Sequence, residues 1–259
     1  NIYSYMMKRI FMLLVSLIVT AGSSFAQVTL KNDRPEFLIQ DKVVVSAPEE
    51  GLWSVATGWQ DDWMCEWKHA DPQKVEKSGE WTVLSGKMSF DRGDLLLRDS
   101  YRQIRSGLVQ CVRRYEWTGT ETLPYVTLSV RWKMTGERMM PCLPGILYYG
   151  NKNGAKVNPE IIPVYEGTEG EFAIFEEHRY PMPFAMLENA ADGYAAALHT
   201  VPSPVRGAVL ADQWWSMGVE ANDGFSEFVL YSGPIGYNHR HSVAKALQKE
   251  PMRYADTWI

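Results

Sequence analysis

The chain is poor in cysteine: Cys65, Cys111 and Cys142 are the only three among 259 residues. They lie far apart with no C-x-x-C spacing, so structural zinc and dithiol redox chemistry have no basis here, and their odd number allows at most one disulfide. A free cysteine otherwise packs as a small hydrophobe. Catalytic signatures are equally scarce. The G-x-S-x-G elbow, the phosphate-binding G-x-x-x-x-G-K loop, G-x-G-x-x-G and H-E-x-x-H are all absent, and with them the usual sequence marks of serine hydrolases, nucleotide enzymes and zinc proteases. Positive charge is in deficit, 26 Lys and Arg against 31 Asp and Glu for a net charge of −5. No nucleic-acid partner is expected, because such binding neutralises phosphates along a basic groove. A strongly basic membrane-surface segment is also missing. So are long helical periodicity, a βαβ rhythm, internal repeats and low-complexity linkers.

One hydrophobic run is present, near the start. Lys8 and Arg9 precede the apolar residues 10–19, and small residues follow up to Ser24-Phe25-Ala26. A basic stretch, an apolar core and an A-x-A-like site predict an export signal within residues 1–26 and a mature start near Gln27. The run is shorter than the roughly 20 residues of a membrane-spanning helix, and no cysteine follows it for a lipid anchor. The expected location is periplasmic or extracellular, with no membrane association after cleavage. Lys8 and Arg9 are the only charges in this segment, so its removal leaves the rest more acidic.

Behind the signal, alternation of period 2 dominates. In residues 125–134, Val126, Leu128, Val130, Trp132 and Met134 share one face, and Thr127, Ser129, Arg131 and Lys133 share the other, the pattern of a half-buried antiparallel strand. Further strands are expected over 81–90, 94–97, 107–117, 171–178, 193–199, 214–220 and 226–231. Turns are expected at Ser85-Gly86, Asn153-Gly154, Asp192-Gly193 and Asp223-Gly224. This spacing predicts an all-β fold, an antiparallel β-sandwich of the supersandwich type over residues 27–237. A short helix is expected over 242–249, where Val243 and Leu247 fall four apart, within a linker at 238–259 that leads into a helical domain. The chain closes on Trp258-Ile259 without a polar tail, so a longer protein is expected.

Ten tryptophans mark the sequence. Trp53, Trp59, Trp63 and Trp67 fall close together with Asp61, Asp62, Glu66 and His69. Flat rings beside carboxylates form a natural platform for the apolar faces and hydroxyls of a sugar, although large aromatics also pack cores. In the cluster Glu176-Glu177-His178-Arg179-Tyr180-Pro181-Met182-Pro183-Phe184, alternate prolines break any central strand into an edge or loop. A regular strand up to there puts Glu177 with Arg179 on one face, either a ligand contact or a cross-strand ion pair. His199 precedes the rigid Pro202-Ser203-Pro204, and Asp212 precedes Trp214-Trp215, of which one ring is expected in the core and the other on a surface. Candidate sugar-binding residues are therefore Glu177, His178, Arg179, His199, Asp212 and Trp215. Loop asparagines in 147–154 either contact sugar hydroxyls or cap their own turn. His239-x-His241 lacks a third ligand at useful spacing, so no metal is expected, and no cofactor either.

The stretches Glu177-His178-Arg179-Tyr180-Pro181-Met182-Pro183-Phe184, Pro202-Ser203-Pro204-Val205, Asp212-Gln213-Trp214-Trp215-Ser216 and Tyr231-Ser232-Gly233-Pro234 resemble the N-terminal β-sandwich of secreted gut-bacterial polysaccharide-degrading enzymes that continue into an (α/α) toroid. The resemblance covers residues 80–259. It implies a sandwich packed against a helical domain of the same chain that carries the acid/base chemistry, so no catalytic residue is assigned here. The expected activity is that of a glycoside hydrolase or polysaccharide lyase acting on polysaccharide or oligosaccharide. The rival expectation is a non-catalytic glycan-binding or surface structural protein.

Overall fold

The computed structural model describes residues 27–60, 63–121, 126–136, 139–147, 172–176, 180–200, 215–232 and 252–258. These residues form seventeen strands: β1 (Gln27–Lys31), β2 (Arg34–Ile39), β3 (Lys42–Ser46), β4 (Trp53–Gln60), β5 (Trp63–Ala70), β6 (Lys74–Ser78), β7 (Trp81–Phe90), β8 (Gly93–Arg105), β9 (Leu108–Trp117), β10 (Thr127–Thr135), β11 (Met140–Cys142), β12 (Phe172–Glu176), β13 (Phe184–Asn189), β14 (Tyr194–Thr200), β15 (Trp215–Asn222), β16 (Phe225–Ser232) and β17 (Met252–Trp258). All pairings are antiparallel. The expected all-β sandwich is the observed architecture, and the expected strand at 81–90 has the bounds of β7.

Two sheets pack face to face. The nine-stranded sheet runs β1-β2-β3-β10-β16-β15-β12, with β4 on β10 and β5 on β4; the eight-stranded sheet runs β11-β13-β14-β17-β9-β8-β7-β6. One edge of β10 is shared, because Lys133 pairs with Ser46 of β3 while Thr127 and Leu128 pair with Ala56 and Val55 of β4. Between the sheets lies one large core that includes Trp53, Trp117, Trp132, Leu97, Tyr101, Leu128, Phe228 and Leu187. A smaller cluster of Ala56, Met64, Ile174 and Val229, with Trp67 packed against it, occupies the opposite, outer face of the nine-stranded sheet. Strand alternation puts Val55, Phe228 and Phe175 inward and their neighbours Ala56, Val229 and Ile174 outward.

The tight turns follow their residues. Asn32 and Asp33 (φ 50° and 62°) and Gln40 and Asp41 (φ 50° and 61°) join β1, β2 and β3 through two-residue loops with both central residues left-handed, the geometry whose twist suits a hairpin. Asp223-Gly224 joins β15 to β16 with Gly224 at φ 72°, and the Asp192-Gly193 turn has Gly193 at φ 73°, as expected of these pairs. Asn153-Gly154 lies outside the described residues.

Ser85-Gly86 is no turn: both sit inside β7, opposite Arg98 and Leu97. The glycine is there for space, since a Cβ on it would lie 2.7 Å from Cζ3 of the buried Trp53 and 3.1 Å from the Asp71 carbonyl oxygen. Gly86→Ala is expected to destabilise the fold by about 1–3 kcal/mol through overpacking, seen as a lower melting temperature in circular dichroism; an unchanged melting temperature would show that the ring yields. Met252–Trp258, placed by the sequence in the linker, is strand β17 between β9 and β14. The export signal and the helix over 242–249 lie outside the described residues. Cys65, Cys111 and Cys142 are all free thiols.

Candidate functional site

The outer face of β10 carries the polar row seen in the sequence, and β4, β5, β15 and β16 bring further groups beside it. Arg131 is the centre. Its Nε and Nη2 donate to Glu227 Oε2 at 3.2 and 2.7 Å, its Nη1 donates to Glu50 Oε1 at 2.5 Å and approaches Ser54 Oγ at 3.4 Å, and its guanidinium lies 5.9 Å from the Trp67 ring centre. Register accounts for the grouping. On β16, Val229 stands opposite Arg131 and Glu227 opposite Lys133, while on the β4–β5 hairpin Ser54 pairs with His69 and Ala56 with Trp67. Ser54 Oγ and His69 Nδ1 are 2.9 Å apart. Lys133 extends the row, bonding Glu49 at 2.6 Å with its ammonium 4.7 Å from the Phe225 ring centre.

Solvent access grades across this cluster. The Glu227 side chain is 1% exposed, Arg131 16% and Glu50 37%, while Trp67 is half-buried and His69 exposed. The two carboxylates on Arg131 are driven apart accordingly. Burial holds the Glu227 carboxyl above the usual glutamate value against the pull of Arg131, with Glu220 and Glu50 adding to the rise. Burial also pushes Glu50 upward, but its own backbone N–H and the Arg131 guanidinium outweigh that and leave it below the usual value. Partial burial lowers the His69 imidazole, the Glu50 charge opposes this, and Arg131 reinforces it, so the ring is neutral at neutral pH.

These groups have distinct roles open to them. Glu50 accepts hydrogen bonds, neutral His69 offers one donor and one acceptor, and Trp67 presents an apolar ring edge or face. Glu227 is sealed from any dissolved molecule; it positions Arg131. Its raised folded value has a consequence for stability. Between 4.5, the solvated value, and the higher folded value, the folded chain binds more proton than the unfolded one, so the Glu227 contribution to stability falls as pH rises through that window. Glu227→Gln is expected to flatten this decline in urea unfolding followed from roughly pH 4 to 7; parallel curves for the two proteins would contradict the assignment.

Of the residues singled out from sequence, Glu177, His178, Arg179 and Asp212 lie outside the described residues. His199 sits on β14, opposite Phe184 and Trp258 in the eight-stranded sheet. Trp215 opens β15 in the nine-stranded sheet, opposite Ser232. In the aromatic cluster, Trp53 is core, with its Nε1 donating to Asp99 at 3.0 Å, and Trp67 with His69 belongs to the Arg131 site. Glu50 and Glu227 had no sequence signal of their own, since a turn acid and a strand acid look ordinary until the register pairs them with Arg131. Among the described residues no three His, Cys, Asp or Glu side chains gather in a way that could hold a metal ion, and no helix is long and apolar enough to cross a membrane. Compared with protein-family models and with curated proteins, the chain matches none.

Proposed function

We propose that the chain is an exported β-sandwich that binds a polysaccharide or oligosaccharide on the outer face of its nine-stranded sheet, as the N-terminal part of a carbohydrate-active enzyme, a glycoside hydrolase or polysaccharide lyase. The observation that carries the reading is the half-buried Trp67 ring set beside a fixed guanidinium, with Glu50 and His69 opening to solvent next to it. Apolar surface with a few convergent polar groups is how proteins hold a sugar. The basic and apolar run before Gln27 supports export, to the periplasm or beyond the cell. Bond cleavage falls to a helical domain of the same protein.

A second reading, a non-catalytic glycan-binding or surface structural protein, is favoured by one observation. Glu227, the acid with the raised value, is sealed and out of reach of a scissile bond.

Affinity electrophoresis of the chain through gels cast with a panel of neutral polysaccharides tests the binding. Retardation is expected in at least one gel, and Trp67→Ala is expected to weaken it roughly thirty-fold, the effect of losing an aromatic hot spot. Free migration in every gel, or retardation that the variant leaves intact, would overturn the reading. Release of sugars by a protein that carries the proposed helical domain, and not by this chain alone, separates the enzyme from the binding protein.

A further inference from the structure

The outer face of the eight-stranded sheet poses a separate electrostatic problem. Arg98 of β8 and Arg114 of β9 stand directly opposite each other, and both are exposed. Their inward neighbours Leu97, Asp99, Arg113 and Tyr115 are buried, so the two guanidiniums project from the same outer face. Opposed like charges across a sheet are unfavourable unless something neutralises them. Five other described arginines are each paired with carboxylates: Arg34 with Asp71, Arg92 with Glu121, Arg102 with Glu80, Arg113 with Asp99, and Arg131 with Glu50 and Glu227. Arg98 and Arg114 make no ion pair or hydrogen bond among the described residues. The nearby Lys74 and Lys87 are each occupied, by Glu76 and Asp94, and Glu116 of the same face stands opposite Leu96 rather than either arginine.

The geometry points to a clamp for a uronate: Arg98 and Arg114 together grip a carboxylate of an acidic polysaccharide laid across this sheet. Guanidinium forks match carboxylates in plane and in donor spacing. The same face supplies a sugar platform further along β8. Four residues on, roughly 13 Å away at strand rise, Arg102 stacks over the Trp81 ring at 4.5 Å and donates through Nε to Gln110 at 2.8 Å. An acidic glycan spanning that distance meets both the clamp and the ring. A nucleic acid fits poorly, because a duplex is held by many cationic contacts along its phosphates and this face offers two unpaired arginines, a pair suited to one carboxylate. The inference takes its polymer class from the glycan reading above, but it uses the opposite sheet and none of the same residues.

The test is affinity electrophoresis of the whole chain at low salt through gels containing polygalacturonate, with one neutral retarding polysaccharide and a double-stranded DNA oligonucleotide as comparison ligands. Polygalacturonate is expected to retard the wild type. Arg98→Ala with Arg114→Ala is expected to weaken that at least about tenfold while leaving the neutral-glycan retardation unchanged and the melting temperature no lower than that of the wild type, and the double lysine variant is expected to recover only part of the loss. Wild-type migration unaffected by polygalacturonate, equal retardation of wild type and double alanine variant, or DNA binding as tight as polygalacturonate binding would each overturn the clamp. Loss of the neutral-glycan shift in Trp67→Ala with the polygalacturonate shift intact would leave the clamp standing, and free migration in every neutral gel would sink the earlier reading alone.

Discussion

Arg113→Ala is expected to cost about 3–5 kcal/mol of folding stability, the effect of stranding one partner of a buried ion pair. Arg113 and Asp99 are both 0% exposed, and the guanidinium donates to both carboxylate oxygens, from Nε to Oδ1 at 2.8 Å and from Nη2 to Oδ2 at 2.7 Å. Asp99 also accepts from Trp53 Nε1 at 3.0 Å and from the Tyr101 hydroxyl at 2.5 Å. The remaining Arg113 donors reach the carbonyls of Ser129 at 2.9 Å and Leu52 at 3.4 Å. The pair therefore ties β8 and β9 of one sheet to β4 and β10 of the other through the middle of the core. Burial works against the Arg113 charge, but Asp99 outweighs it and keeps the guanidinium protonated; burial and Asp99 together hold the Tyr101 hydroxyl well above its usual value. Alanine removes every Arg113 donor and leaves the carboxylate buried, with Trp53 Nε1 and the Tyr101 hydroxyl still bonding it. The urea midpoint should fall with an unchanged slope, whereas replacing both partners with apolar residues should cost much less. A loss under about 1 kcal/mol for the single variant would mean that water reaches Asp99 and that the pair is not sealed as described.

Trp132→Ala is expected to cost a similar amount, about 3–5 kcal/mol, by opening a cavity between the sheets. The indole is fully buried, edge-on to Phe37 at 5.1 Å and to Tyr101 at 6.2 Å between ring centres. Its Nε1 has no hydrogen-bond partner among the described residues. Trp132→Phe keeps most of the ring contact and removes an unsatisfied donor, so it should cost less than about 1.5 kcal/mol. In thermal unfolding the alanine variant should melt on the order of 10 °C below the wild type, with the phenylalanine variant close to it. Equal losses for the two would show that the indole nitrogen is satisfied and matters to the fold.

The sandwich was legible in the sequence wherever inward positions are apolar. In β10, Val126 through Met134 alternate cleanly, and the strand stands where the pattern places it. β8 shows how legibility fails. The sequence reading stops at Leu97, yet the strand runs to Arg105, because its next inward residue is Asp99, a charge that only its partner Arg113 on β9 makes tolerable inside. A pairing across strands leaves no local trace. The first six strands were missed for a related reason. Their turns at Asn32-Asp33 and Gln40-Asp41 hold left-handed residues without glycine, and β1 and β6 are five-residue, mostly exposed strands with at most two apolar residues each, too short for a pattern to stand out. At the site, Trp67 and His69 drew notice by residue type, while Glu50, Arg131 and Glu227 were invisible as a group. Long-range register assembles them, bringing β10 against β4 on one side and β16 on the other.

The central claim is that a sugar lies on the outer face of the nine-stranded sheet, and hydroxyl-radical footprinting with and without a neutral polysaccharide that retards the chain tests it most directly. The expected result is protection of Trp67 and His69 on adding the polysaccharide, with the reactivity of Trp81 on the other sheet unchanged. Protection confined to other residues, with Trp67 and His69 reacting as in the free protein, would contradict the account.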